Sequence, residues 1–292
     1  MLDIHSAAIV GASPKEGKAG NIILKNFKKR FPGKIYAVNP NYEEVLGVKC
    51  YKSVEEIPDD IDLVVVAIPA KGVPQVIKDS VDKNAKLAII ISAGFSEAGE
   101  EGKKLEEEIK EYIKNSNLRI IGPNGMGMYD PFLGIDTFFV DESRVPRPPK
   151  GNIAILSQSG AIALALMEWL ALHNIGVSKI VSYGNKLDLD EVELLKILEK
   201  DENTKVNFIY LEGIKPGKGE EFIKVCKELQ KPVIILKSGK SMRGKLAVTS
   251  HTASMAGDYE VYLNAFRQCG CIEARCMEDL LIYLKTVSYY YY

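Results

Sequence analysis

Short runs rich in valine, isoleucine and alanine recur along the chain with stretches of helical period between them, and this alternation restricts the fold more than any other feature. It is the rhythm of βαβ units and parallel sheets. In the first half the runs are AAIVGA from Ala7, IYAVN, LVVVAI, LAIIIS and RIIG, with helices predicted over Gly20 to Arg30 and Glu100 to Lys114, among others. The latter helix points Leu105, Ile109 and Ile113 inward and exposes Glu and Lys. Strands so uniformly apolar are covered on both faces. The segment DESRVPRPPK, Asp141 to Lys150, puts three prolines into four residues, which forbids a helix and disfavours an interior strand. The alternation then restarts with NIAILSQS, VSKIVSYG, VNFIYLEG and PVIILKSG. A chain of 292 residues exceeds one ordinary core, so two doubly wound α/β domains are expected. The expected bounds are 1–140 for the first, 141–151 for a proline-rich linker, 152–288 for the second and 289–292 for a tail without recognisable structure.

Lys+Arg of 38 against Asp+Glu of 39 leaves a formal charge of −1, which argues against nucleic acid or an anionic membrane as partner. Any anion site must be local. No apolar stretch reaches the roughly 20 residues that span a bilayer, and no charged leader precedes the first strand, so a cytoplasmic protein is expected. The five cysteines, Cys50, Cys226, Cys269, Cys271 and Cys276, form no CxxC pair. They are read as reduced, packing thiols, with no metal site expected because matching His or Cys ligands are lacking.

The first run ends in IVGASPKEGKAGN, with Gly11, Gly17 and Gly20 where the chain turns into a helix. Glycines let backbone N–H groups approach a phosphate, the helix N-terminus adds partial positive charge, and Lys15 and Lys18 supply cations. A turn that uses glycine only for positive φ reads the same way. The spacing is GxxxxxGxxG instead of GxGxxG, and Val38-Asn39-Pro40 lacks the acid that takes the ribose hydroxyls of NAD. NAD is disfavoured, and a dehydrogenase with it; CoA, with a pyrophosphate and a ribose phosphate, suits the loop without that acid. Later strand ends read AIPAKG, ISAGFSE and IGPNGMG, and strand carboxyl ends are where open α/β sheets bind ligands.

In the second half His251 lies in the polar segment KSGKSMRGKLAVTSHTASMAGDYEVYLNAF, beside Ser250, Thr252 and Ser254, which can bond phosphoryl oxygens. His5 and His173 read as structural, His173 as a helix C-terminal residue before Gly176. KSGKS is no P-loop, since Ile234 stands where Walker A needs glycine. LSQSGA places Ser157, Ser159 and Gly160 at a helix N-terminus suited to phosphate, with Ser159 equally suited as N-cap. Asn185, Asp188 and Asp190 in SYGNKLDLDEVELL read as caps of the following helix.

The order GASP, Pro-containing loop, SAGF and GPN resembles the CoA-binding domain of the succinyl-CoA synthetase and ADP-forming acetyl-CoA synthetase families, and SHTA…AG followed by EVY…AFRQ resembles the phosphohistidine loop of the latter. The resemblance extends to about Leu284. It implies a Rossmann-like CoA-binding domain followed by a flavodoxin-like domain of the succinyl-CoA synthetase type. It further implies CoA contacts at Gly11, Ser13, Lys18, Pro69, Ser92 and Asn124, phosphate binding at Ser157, Ser159, Gly160, Ser250 and Thr252, phosphate carriage by His251, and Glu212, in IYLEGI, as its carboxylate partner. The chain departs from the pattern at Gly125, where GPNC is common, at Ala253, where glycine is common, and at Asn41 and Tyr42, where succinyl-CoA synthetases offer a lysine. Leu164 stands where those synthetases carry a tyrosine near the acyl site, which favours a small monocarboxylate such as acetate over succinate. The implied reaction interconverts acyl-CoA, ADP and phosphate with acid, CoA and ATP. No ATP-grasp module is recognisable, so the resemblance implies a nucleotide-binding β subunit or domain holding Mg with ADP or ATP, and a hetero-oligomer. The rival expectation is a CoA-binding regulatory or carrier protein without turnover.

Overall fold

The computed structural model describes residues 4–239 and 259–290. The chain divides into two compact units, one formed by Leu2–Val145 with Ser182–Leu189 and the other by Pro146–Val181 with Asp190–Tyr292.

The first unit runs β1 (Ser6–Val10), α1 (Ala19–Arg30), β2 (Lys34–Val38), β3 (Glu44–Val45), β4 (Val48–Tyr51), β5 (Leu63–Val66), α2 (Val73–Asp82), β6 (Leu87–Ile90), α3 (Glu100–Ile113), β7 (Arg119–Ile121), β8 (Gly127–Asp130) and β9 (Ile135–Asp136). Its main sheet has the order β3-β4-β2-β1-β5-β6-β7. The chain passes from β1 to β2 on one side and returns to β5 on the other, with both neighbours parallel to β1: Ala7 faces Ile35 and Leu63. Every residue of β1, β5 and β6 is buried, which is why these strands read as unbroken apolar runs. Ala8, Val10, Val64, Val66, Ala88 and Ile90 are central to the core. The antiparallel β3–β4 hairpin escapes sequence reading because it pairs over so few residues, turning through Leu46 (φ 53°) and Gly47 (φ 76°).

Ser182–Leu189 is fastened to this unit along its length. Asn185, Leu187 and Leu189 donate backbone hydrogen bonds to the carbonyls of Pro123, Gly122 and Ile120 at 2.8, 2.9 and 3.1 Å. Asp188 accepts two bonds from the Arg119 guanidinium, at 2.9 and 3.1 Å, and one from the Ile120 N–H at 2.8 Å. Asn185 reaches Ser96, Glu97 and Glu106 with its amide nitrogen. Asn185 and Asp188 are therefore tethers and not helix caps; only Asp190 caps, accepting from the N–H groups of Val192 and Glu193. Asp188→Ala leaves the Arg119 charge and an amide without this acceptor and should lower unfolding free energy by ~2 kcal/mol. Urea denaturation checks this; an unchanged midpoint would make the tether energetically idle.

The second unit contains β10 (Lys150–Ser157), α4 (Gly160–Leu172), β11 (Val177–Ser182), α5 (Glu191–Glu199), β12 (Val206–Leu211), α6 (Gly219–Glu228), β13 (Val233–Lys237), α7 (Tyr259–Gln268), β14 (Ile272–Ala274) and α8 (Met277–Tyr290). Its strands lie in the order β14-β13-β12-β10-β11. β12 is parallel to β10 and β13, with Ser157 opposite Tyr210 and Leu211 opposite Lys237. Tyr289 and Tyr290, expected in an unstructured tail, extend α8 by continuing its helix while staying exposed. No helix among the described residues is long and apolar enough to cross a membrane.

Candidate functional site

In the first unit the reversal of strand order falls between β2, β1 and β5, and a cavity of about 390 Å³ opens there, lined by Gly11, Val38, Asn39, Ile68, Pro69 and Gly72 among others. Such a reversal is where open α/β sheets take their ligands. Gly11 takes φ 89°, and a Cβ there would lie 2.4 Å from the Ala67 carbonyl oxygen; a Cβ on Gly20 would lie 2.0 Å from the Gly11 carbonyl oxygen. The two glycines thus press the β1–α1 loop onto the start of α1. That helix has no acidic residue in its first turn and no side-chain cap bond, so the amides of its first turn present positive charge to the crevice. Lys18, its N-cap residue, is exposed. Ser13 braces the loop from within, its hydroxyl accepting from the Lys15 N–H at 3.2 Å and its carbonyl from the Asn21 amide at 2.8 Å. Asn39 stands where a nicotinamide-binding fold places an acid, and instead donates its amide to the Ala12 carbonyl at 2.8 Å.

The other expected positions of this unit come from neighbouring strand ends. Pro69 is exposed and opens a short 3₁₀ turn over Ala70–Gly72. The Ser92 hydroxyl donates to the Ile68 carbonyl, and the Asn124 N–H donates to the Ser92 carbonyl at 2.9 Å. Asn124 sits at φ 60° and gives its side-chain amide to Asn185 at 3.2 Å. Gly125 has a local reason: a Cβ there would meet the Ser182 carbonyl oxygen at 2.5 Å. Sequence reading missed Glu97, which accepts from the Gly94 and Phe95 N–H groups and from Asn185. Burial pushes its carboxyl up, but those hydrogen bonds outweigh it and hold the group below its ordinary value. The SAGF loop therefore has an ionised carboxylate beneath it.

In the second unit the strand order reverses around β10, and the ends of β10 and β12 carry the expected residues. Ser159 is the N-cap of α4, accepting from the Ile162 N–H at 3.4 Å. Ser157 is fully buried and its hydroxyl donates to the Ser159 carbonyl at 2.7 Å, so it braces the turn from below instead of facing outward. Gly160 is half-buried at the first helical position.

Glu212 follows β12 and is buried. Gln158 accepts from the N–H groups of Glu212 and Gly213, and Lys237 donates to the Glu212 carbonyl at 2.9 Å. Burial, and next the Glu212 charge, push the Tyr210 phenol above its ordinary value. Lys237 itself is 2% exposed and lies 4.8 Å from the Tyr262 ring centroid, a cation–π distance. Neither Gln158 nor Lys237 was marked by sequence, because a strand-end lysine reads as surface. The site thus joins a helix N-terminus, a buried carboxylate and a buried ammonium. His251, Ser250 and Thr252 lie outside the described residues. His173 ends α4, stacked on Trp169 at 4.1 Å, and is structural as expected.

The model of a CoA binding domain matches residues 5–131, and that of a succinyl-CoA ligase like flavodoxin domain matches residues 150–287. The chain is 48% identical to acetate–CoA ligase [ADP-forming] I of Archaeoglobus fulgidus, over 94% of this chain and 39% of that protein. It is 42% identical to the alpha subunit of acetate–CoA ligase [ADP-forming] I of Pyrococcus furiosus, over 99% of this chain and 63% of the subunit. The solved structure of a dinucleotide-forming acetyl-coenzyme A synthetase 1 from Ca. Korarchaeum cryptofilum, in complex with phosphate and ADP, superposes with a TM-score of 0.91 at 40% identity, over 98% of this chain and 61% of that one. The chain thus spans between 39% and 63% of the length of these relatives. On the strength of both domain matches and this identity over nearly all its residues, the chain belongs to the ADP-forming acetyl-CoA synthetase group of the succinyl-CoA synthetase α superfamily, and carries that group's Rossmann-like CoA-binding and flavodoxin-like domains.

Proposed function

We propose that this chain is the CoA-binding and phosphohistidine portion of an acid–CoA ligase (ADP-forming), acting with an ATP-grasp nucleotide-binding β subunit or domain that holds Mg with ADP or ATP. Phosphate oxygen attacks the acyl-CoA thioester; CoA leaves as thiolate and an acyl phosphate forms. A ring nitrogen of His251 then attacks phosphorus and the carboxylate leaves. The terminal oxygen of ADP takes the phosphoryl group from the histidine, giving ATP. Each phosphoryl step depends on positioning and charge stabilisation more than on covalent help from the protein.

The observation that carries this reading is the β1–α1 crevice, with an uncapped helix N-terminus and Asn39 where NAD would need an acid. In it Gly11, Ser13, Lys18, Pro69, Ser92 and Asn124 would contact CoA. Gly11, Gly20 and the first turn of α1 would receive the pyrophosphate through backbone N–H groups, with Lys18 adding charge. In the second unit the α4 N-terminus at Ser159 and Gly160 would face the phosphoryl group, with Ser157 beneath it. Ser250 and Thr252 would flank the group on His251. Acetate, named in the relatives, is the favoured acid, together with Leu164 in place of a tyrosine.

Calorimetry of the full chain tests the first half: CoA binds and NAD does not. Gly20→Ala drives a methyl against the Gly11 carbonyl and should weaken CoA at least about tenfold, or ~1.4 kcal/mol. Undiminished CoA affinity in that variant would move the ligand out of this crevice. CoA binding without any phosphoryl uptake would favour the rival, a regulatory or carrier protein.

A further inference from the structure

Three cysteines meet in the second unit, away from the ends of β10 and β12. Cys226 comes from the last turn of α6, Cys269 follows α7 directly, and Cys271 precedes β14. Their sulfurs all lie within 4.8 Å of one another. Cys226 and Cys269 are buried and Cys271 is partly exposed. Gly270, between the last two, takes φ 74°, the left-handed turn that folds them back toward each other. The Cys269 and Cys271 sulfurs are 3.5 Å apart, far from the ~2.05 Å of a disulfide bond. Sulfurs bound at ~2.3 Å around one tetrahedral ion lie roughly 3.8 Å apart, so small side-chain rotations suffice to close this trio on a metal. Packing explains a single buried cysteine; it does not require one from α6 to converge on the Cys-Gly-Cys turn that follows α7.

We propose that Cys226, Cys269 and Cys271 bind one thiophilic d10 ion, Zn²⁺ or Cu⁺. Soft thiolates select these ions, whereas hard cations require oxygen ligands. Among the described residues no histidine or carboxylate joins the group. On binding, three S–H protons leave to solvent and three sulfur–metal bonds form. Zn²⁺ completes its shell with a water on the partly exposed Cys271 side, and Cu⁺ is complete with three sulfurs. The ion links α6 to the turn between α7 and β14, so its binding stabilises this part of the fold. Sequence reading missed the group because Cys226 is remote along the chain from the Cys-Gly-Cys pair and no familiar spacing connects them.

The test uses the reduced, chelator-treated full chain, titrated with Cd²⁺ as a spectroscopic probe. A sulfur-to-cadmium charge-transfer band saturating at one equivalent is expected, lost in Cys226→Ser, Cys269→Ser and Cys271→Ser and kept in Cys276→Ser. Should the serine variants fail to fold, alkylation of the wild type decides the same question. With ion bound, Cys226, Cys269 and Cys271 are protected together while Cys276 still reacts. X-ray absorption then separates three sulfurs with one oxygen, for Zn²⁺, from three sulfurs alone, for Cu⁺. Absence of the band with thiols reduced, its persistence in Cys226→Ser and Cys269→Ser, or a shell of nitrogen and oxygen would overturn the site.

Discussion

The His251→Asn protein takes up no acid-labile phosphate from acetyl phosphate, while its affinity for CoA stays that of the wild type. Asparagine keeps a polar side chain of similar reach at its root but offers no ring nitrogen to attack phosphorus, so the loss should be complete and not graded. CoA binding is spared because, among the described residues, the crevice that would hold CoA is lined by the ends of β1, β2 and β5, the stretch after β4, and α2. Intact-mass spectrometry before and after mild acid reads the first quantity, and calorimetry the second. Undiminished labelling of the variant would remove His251 from the pathway.

Glu212→Gln should slow phosphohistidine formation at least about tenfold, the equivalent of ~1.4 kcal/mol in the barrier, with folding and CoA affinity unchanged. The backbone of Glu212 is held by Gln158 and Lys237 through main-chain atoms, and these bonds survive the substitution. What changes is the charge. A carboxylate on the far ring nitrogen fixes one tautomer and stabilises the ring once it carries phosphate, and a charge-assisted hydrogen bond is roughly twice as strong as a neutral one. The buried setting magnifies the difference, since the Glu212 charge already perturbs Tyr210. A rate equal to the wild type's would reduce Glu212 to a structural acid. Asp188 could not then take its place without releasing Arg119, and Asp190 is engaged as the cap of α5.

The parallel strands were legible because helices cover both sheet faces, so that LVVV and LAII carry no polar alternation to confuse them. Elements held by turns and edges were not: β3, β9 and β14 are two or three residues long, below the length at which a period can be read. Of the loop glycines, Gly11 and Gly20 are pressed against backbone where no side chain fits, whereas Gly17 has open space around it and serves its φ of 76°. Asn185 and Asp188 read as caps because local spacing is all that sequence displays. Their partners, Glu97 and Arg119, stand 88 and 69 residues away, and only the return of Ser182–Leu189 to the first unit reveals them. Lys237 and Gln158 were invisible for a related reason. Their burial follows from the position of β13 and β10 beside β12, which no local pattern encodes.

Phosphoryl uptake by the wild-type chain from its proposed physiological donors tests the central claim most directly. The full chain is incubated with acetyl-CoA alone, phosphate alone and both together, and its intact mass is measured before and after mild acid. The expected result is a phosphoryl group that is stable in base, lost in acid, formed only when acetyl-CoA and phosphate are both present, and passed to ADP once the nucleotide-binding partner is added. A chain that binds CoA yet gains no acid-labile phosphate under any of these conditions, with the partner present or absent, would contradict it.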